Sequence, residues 1–227
     1  MSFPYLFRWR PSNEKGIDSL SEDSLATMQF QFAQVEQALA DMHRVAPEKR
    51  SAFQGRLKHY QKQGFPPGIN TGRGRAAVYY VRHAVQLAVA LEMNQVGLNP
   101  ERTVRICTEY SGRIQGAVML ATSRMLSDDA EPVLLVFDPI VLSDLRGEEE
   151  WDETEATFDV KGVEEFRMGL ENLANLRSRR YALVNISEVI DELSHRLGEA
   201  SKYNEFDVMR EIRASSSNVG AWRDGNP

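Results

Sequence analysis

Between Arg44 and Arg82 the chain spaces its cations as a phosphate-binding surface would. Nine Lys or Arg fall in this stretch (Arg44, Lys49, Arg50, Arg56, Lys58, Lys62, Arg73, Arg75 and Arg82) against one acid, Glu48, for a local charge of +8. The whole chain carries −6, so the remainder sums to −14. A basic island on an acidic protein is the electrostatic footprint of a polyanion partner, and nucleic acid is the natural candidate. The plain alternative is a solvated charged face.

The spacing inside the island favours the first reading. With residues 48–63 set on a helix at about 100° per residue, Phe53, Leu57 and Tyr60 share one face, which is the expected core side. Ser51, Gln54, Lys58 and Lys62 share the other, a polar and basic face of the kind a major-groove helix presents. Gln54 suits a bidentate contact to adenine, and Lys58 suits guanine or a phosphate. Lys49, Arg50, Arg56 and His59 complete the candidate DNA contacts on this helix. For His59 an ordinary surface role is an equal alternative. Gly55 lies at the edge of the polar face. Glycine costs about 1 kcal/mol in a helix interior, so a close approach by DNA would give it a reason; a tolerated solvent glycine would not. Further along, Asn70-Thr71-Gly72-Arg73-Gly74-Arg75 places Arg73 and Arg75 on a glycine-framed turn that could reach a phosphate wall or a minor groove.

The elements that must position these residues follow from periodicity and punctuation. Leu25, Met28, Phe32, Val35, Leu39 and Met42 recur at three and four, which predicts a helix over 24–43. Val45-Ala46-Pro47 breaks it, and Pro47 suits the first turn of the next helix. That helix ends at Gly64, before Phe65-Pro66-Pro67-Gly68. A hairpin returning through Ala77–Tyr80 comes next, then a helix over 82–95 ended by Gly97. Asn99 caps a long helix with Pro100 at its first position, running to about Met125.

Helix, turn, helix, hairpin, helix, helix is the order of a winged helix-turn-helix, and it coincides with the basic island. The run Arg56-Leu57-Lys58-His59-Tyr60-Gln61-Lys62-Gln63-Gly64-Phe65-Pro66-Pro67 resembles the T-L-R-Y-Y-E-x-x-G-L-L-P pattern of the DNA-binding domain of MerR-type transcription regulators. The segment from Tyr80-Val81-Arg82-His83 to Gly97-Leu98-Asn99-Pro100-Glu101 looks like that family's next helix. The resemblance covers roughly residues 31–106. It implies a DNA-contacting role for the position of Lys58, usually an arginine there, and a backbone contact at that of His59. The chain departs from the pattern in four places: Arg56 replaces the usual threonine, Gly74-Arg75-Ala76 replaces Gly-Tyr-Arg, the helix before the turn is longer, and the family's C-terminal dimer helix followed by an effector site is not recognisable.

The second half reads differently. Residues 128–159 hold twelve acids and one base, Arg146. Val133–Phe137 is a continuous apolar run, a buried strand. Asp138-Pro139 should cap a short helix to Leu145, and 147–155 is an acidic linker. A short strand over 156–160, a helix over 162–177, a strand over 181–186 and a helix capped by Ser187 follow. These suggest a small α/β or α+β module. The division expected is an N-terminal arm over 1–23 with alternating aromatics (Phe3, Tyr5, Phe7, Trp9), a DNA-binding domain over 24–126, an assembly or partner module over 127–214, and a disordered tail over 215–227.

What the sequence lacks also bounds function. No run approaches the ~20 apolar residues of a membrane span, and the N-terminus lacks a signal peptide's apolar stretch. The single cysteine, Cys107, excludes an internal disulfide and a cysteine-cluster metal site. His43, His59, His83 and His195 show no ligand spacing, and no nucleophile–base or phosphate-loop pattern stands out. The expectation is therefore a cytoplasmic, DNA-associated protein with no cofactor, no metal and no catalytic residues. It would be a sequence-specific transcription regulator binding double-stranded DNA as a homodimer, with the C-terminal half free for a transcription-machinery or other protein partner. Two alternatives stand beside it: a structural DNA binder such as a phage-type packaging or excision factor, and a protein-interaction module that does not bind DNA.

Overall fold

The structure, a computed structural model, describes residues 28–69, 77–127, 131–139, 158–171, 181–217 and 222. The N-terminal half runs β1 (Gln29–Gln31), α1 (Phe32–Met42), a 3-10 turn (Pro47–Lys49), α2 (Arg50–Lys62), β2 (Val78–Tyr80), α3 (Val81–Gln95), α4 (Pro100–Glu109) and α5 (Ser111–Leu126). The C-terminal half runs β3 (Val133–Phe137), β4 (Phe158–Gly162), α6 (Val163–Glu171), β5 (Ala182–Asn185), α7 (Ile186–Glu199) and α8 (Glu205–Ser217). Among the described residues this is a mainly helical chain with two small antiparallel sheets, β1–β2 and β4–β3–β5. None of its helices is long and apolar enough to cross a membrane.

Helix α3 is the axis of the core. Every residue from Val81 to Leu91 is buried, as expected of a helix enclosed on all sides. The three-stranded sheet turns Val133, Leu135 and Phe137 inward, where α5 and α7 pack on β3. A single buried cluster joins Val35 and Leu39 of α1, Leu57 and Tyr60 of α2, Ile114 and Val118 of α5, Ile190 and Leu193 of α7, Ile212 of α8, and Trp222. The core therefore does not divide at 126/127, where the charge pattern suggests a domain boundary.

Several elements differ from expectation for physical reasons. The first helix begins at Phe32, because Gln29-Phe30-Gln31 alternates exposed, buried, exposed and forms a strand. That strand is the partner of β2, with Phe30 opposite Tyr79, so the described partner of the return strand lies far upstream rather than just before the turn. Gln34 Oε1 accepts from the Gln31 amide at 2.9 Å and starts α1 there. The long helix after Asn99 is two helices that break at Tyr110, where ψ is 21°. Thr108, Tyr110, Ser111 and Gly112, four of the five residues around the break, are weak helix formers. Helix α7 is capped by Asn185, not Ser187. The Ser187 hydroxyl instead accepts from the Val133 amide at 3.0 Å and ties β3 to α7. Finally, residues 215–217 of the expected tail belong to α8, and Trp222 is buried. The N-terminal arm, the glycine-arginine turn with Arg73 and Arg75, the short helix to Leu145 and the acidic linker lie outside the described residues.

Candidate nucleic-acid interface

Helix α2 starts behind Pro47 and ends at Gly64, whose φ of +75° suits glycine and terminates the helix. It is held from one side. Leu57 and Tyr60 are buried, Phe53 is half-buried, and the Tyr60 hydroxyl donates to Asn94 Oδ1 at 2.6 Å. Burial raises the Tyr60 pKa above the ordinary phenol range, so the group stays a neutral donor. On the other side Ser51, Lys58 and Lys62 are exposed, within a stripe about 40° wide at ~100° per residue. Gln54, expected on this stripe, is half-buried at its edge. A Cβ added at Gly55 would meet nothing within 4 Å, so no intramolecular contact requires that glycine. Lys49 and Arg56 are also exposed.

Two members of the basic island are turned inward. Arg50 reaches back to α1, with Nε 2.9 Å from Glu36 Oε1, a guanidinium nitrogen 2.8 Å from Gln37 Oε1, and another 3.3 Å from Asp41 Oδ1. Glu36 is 4% exposed, so Arg50 compensates a buried carboxylate rather than presenting charge outward. Arg82 is buried with its guanidinium 4.7 Å from the centre of the Tyr80 ring. His83 adds no charge either: burial, with Arg82 beside it, pushes its pKa down to about 3. Arg50→Ala would leave Glu36 without its cation. We expect a loss on the order of 2 kcal/mol in urea unfolding, less than a fully buried pair would cost because Arg50 is partly solvated. Unchanged stability would show that α1 and α2 do not depend on this pair.

His59 is exposed, as expected, but it faces the start of α4. Its Nε2 lies 3.1 Å from Glu101 Oε1, and Gln63 Nε2 donates to the same oxygen at 3.3 Å. Asn99 caps α4 by accepting from the Arg102 amide at 2.8 Å. Near this junction Asn99, Glu101, Arg102 and Arg105 line an open depression of about 280 Å³.

Other candidates resolve without new chemistry. Cys107 is buried, 3.8 Å from Met93 Sδ, and burial pushes its thiol up to about 12. It packs as a small apolar side chain. Among the described residues no group of three His, Cys, Asp or Glu is placed to hold a metal ion. Sequence reasoning missed two features: the β1–β2 ribbon, and a set of exposed bases around the start of α8. The signal for the ribbon was the Gln-Phe-Gln alternation. That for the bases was the spacing of Phe206, Arg210 and Arg213 along one helix face. Comparison of the chain with protein-family models, curated proteins and solved structures finds no match.

Proposed function

We propose that this protein binds double-stranded DNA through the exposed face of α2 and acts as a sequence-specific regulator of transcription. The observation that carries the reading is the exposed stripe of Ser51, Lys58 and Lys62 on a helix held only from its opposite side. None of these three side chains is engaged by an acid among the described residues. A one-sided helix with long basic arms matches what a major groove admits. Lys58 and Lys62 stand one turn, about 6 Å, apart along the helix axis, a reach that spans neighbouring phosphates. Gln54 at the margin of the stripe is the candidate base reader. Arg56 and Lys49 extend the positive field on either side, and Arg73 and Arg75 would act as a wing. A homodimer on two half-sites would supply the specificity that one module lacks.

The continuous core favours one modification of this reading. The C-terminal half helps build the body that holds α2, so dimerisation would use an outer surface rather than a separate assembly domain. The test is a salt titration of binding to a labelled duplex. Lys58→Ala/Lys62→Ala should weaken binding and flatten the plot of log K against log salt by about 0.9 per lost phosphate contact. Equal affinity and slope in wild type and double variant would remove α2 as the contact surface.

A further inference from the structure

The acidic C-terminal half carries bases of its own at the junction of α7 and α8. Lys202 is exposed, with Nζ 5.4 Å from the centre of the Tyr203 ring. Phe206 is 52% exposed, an unusual state for a large aromatic, and the Arg210 guanidinium stands 6.0 Å from its ring centre. Arg213 is exposed on the same helix face. Neither Lys202 nor Arg210 is engaged by an acid among the described residues.

The neighbouring acids have partners other than Lys202 and Arg210. Glu205 Oε2 faces His195 Nδ1 at 3.0 Å, and Glu199 pairs with Arg196 at 2.8 Å. Asp207 is held by Asn204, and its amide donates to Asn204 Oδ1 at 2.8 Å. Glu211 is buried. Lys202, Arg210 and Arg213 are the bases this corner presents outward, beside Glu205 and Asp207, which keep their own charge.

Its place in the fold links it to α2. The β1–β2 ribbon buries Phe30 and Tyr79 side by side on its inner face. At its β2 side Gln61 of α2 donates to the Tyr79 hydroxyl. At its β1 side Tyr203 packs edge-on against Phe30, ring centres 5.5 Å apart, and Gln34 donates to the Ala200 carbonyl at 3.2 Å. The ribbon thus has the α2 basic helix on one flank and the Lys202 corner on the other. Its outward residues, Gln29, Gln31 and Val78, are exposed between them.

We propose that Lys202, Phe206 and Arg210 form a second contact surface for the same DNA duplex, across the β1–β2 ribbon from α2. Lys202 and Arg210 hold phosphates, and Phe206 lies against the groove as an apolar wedge flanked by cations. The exposed cations beside Phe206, Lys202 and Arg210, with no acid partner among the described residues, name the occupant, and continuity through the ribbon makes it one footprint with α2. The inference rests on the α2 reading, and the experiment separates the two.

Full-length wild type, Lys202→Ala/Arg210→Ala and Lys58→Ala/Lys62→Ala are titrated with one labelled duplex at several salt concentrations. Both pairs should lower affinity, each flattening the salt slope by about 1.8 for two lost phosphates. Phe206→Ala should weaken duplex binding about fivefold or more. Loss with the α2 pair alone overturns the second surface and leaves the first standing. Loss with the Lys202/Arg210 pair alone overturns the α2 reading and keeps this corner as a duplex site. No loss with either overturns both. A Phe206→Ala effect confined to the single strand of the same sequence overturns the duplex as occupant. Lys202→Gln/Arg210→Gln, which keeps the stems and removes the charge, must reproduce the Ala result, and a failure to do so overturns the phosphate assignment.

Discussion

A fragment of residues 1–126 is expected not to fold, although its charge pattern makes it look like a free-standing DNA-binding domain. Helix α1 buries Val35, Ala38 and Leu39, and it packs on α7. Helix α5 buries Ile114, Val118 and Ala121, and it packs on both α7 and α8. In the fragment these surfaces would meet water. The lost partners include Ile186, Ile190, Leu193, Leu197, Val208 and Ile212, each nearly inaccessible to solvent. Full burial of such a side chain contributes about 1.5–3 kcal/mol. Six of them come to about 9–18 kcal/mol, as large as the whole ~5–15 kcal/mol that separates a typical folded domain from its unfolded chain. Residues 1–126 should therefore give a non-cooperative melt, with collapsed amide dispersion in NMR spectra. A cooperative transition and dispersed amides would show that the N-terminal half holds its own core. Loss of DNA binding by such a fragment would report unfolding, not a direct contact by the missing half. For that reason the DNA tests above use the full chain.

How much of this was legible in the sequence depends on the range of the interaction that decides each element. Helix α2 was readable because its signals are local: Phe53, Leu57 and Tyr60 recur on one face, Pro47 opens it and Gly64 closes it. Strands β3 and β5 were readable for the same reason. Strand β1 was not. Three residues that continue a helical apolar period are drawn into a ladder by β2, some fifty residues later. The cap of α7 went to Asn185 because Ser187 was claimed by β3, a tertiary demand invisible in the local pattern. Arg50 is the same lesson at the candidate site. Its type and position match a phosphate contact, but a buried carboxylate one helix away holds it.

Trp222→Ala should destabilise the protein by about 3–5 kcal/mol, the usual cost of deleting a buried large aromatic. The residue sits in a stretch whose polar, glycine-bearing composition suggests no order at all. Yet Trp222 is 2% exposed and belongs to the main core. Two buried glutamine side chains hold Trp222 and the end of α8. Gln86 of α3 donates to the Trp222 carbonyl at 3.1 Å, and Gln115 of α5 donates to the Ser216 carbonyl at 3.0 Å. Both glutamines are themselves buried. Removing the Trp222 segment would leave the Gln86 donor without its acceptor, at about 1–3 kcal/mol. The stabilisation comes from the ring rather than from its polar edge. The indole Nε1 finds no hydrogen-bond partner among the described residues, so its burial is a cost. Trp222→Phe, which keeps an aromatic ring and drops the donor, should therefore recover most of what Trp222→Ala loses. The measurement is the midpoint of urea unfolding at constant slope for wild type and both variants. Coincident midpoints for wild type and Trp222→Ala would mean that the C-terminal anchor contributes nothing to the core. A Phe variant as unstable as Ala would mean that the indole edge, not the ring, holds it.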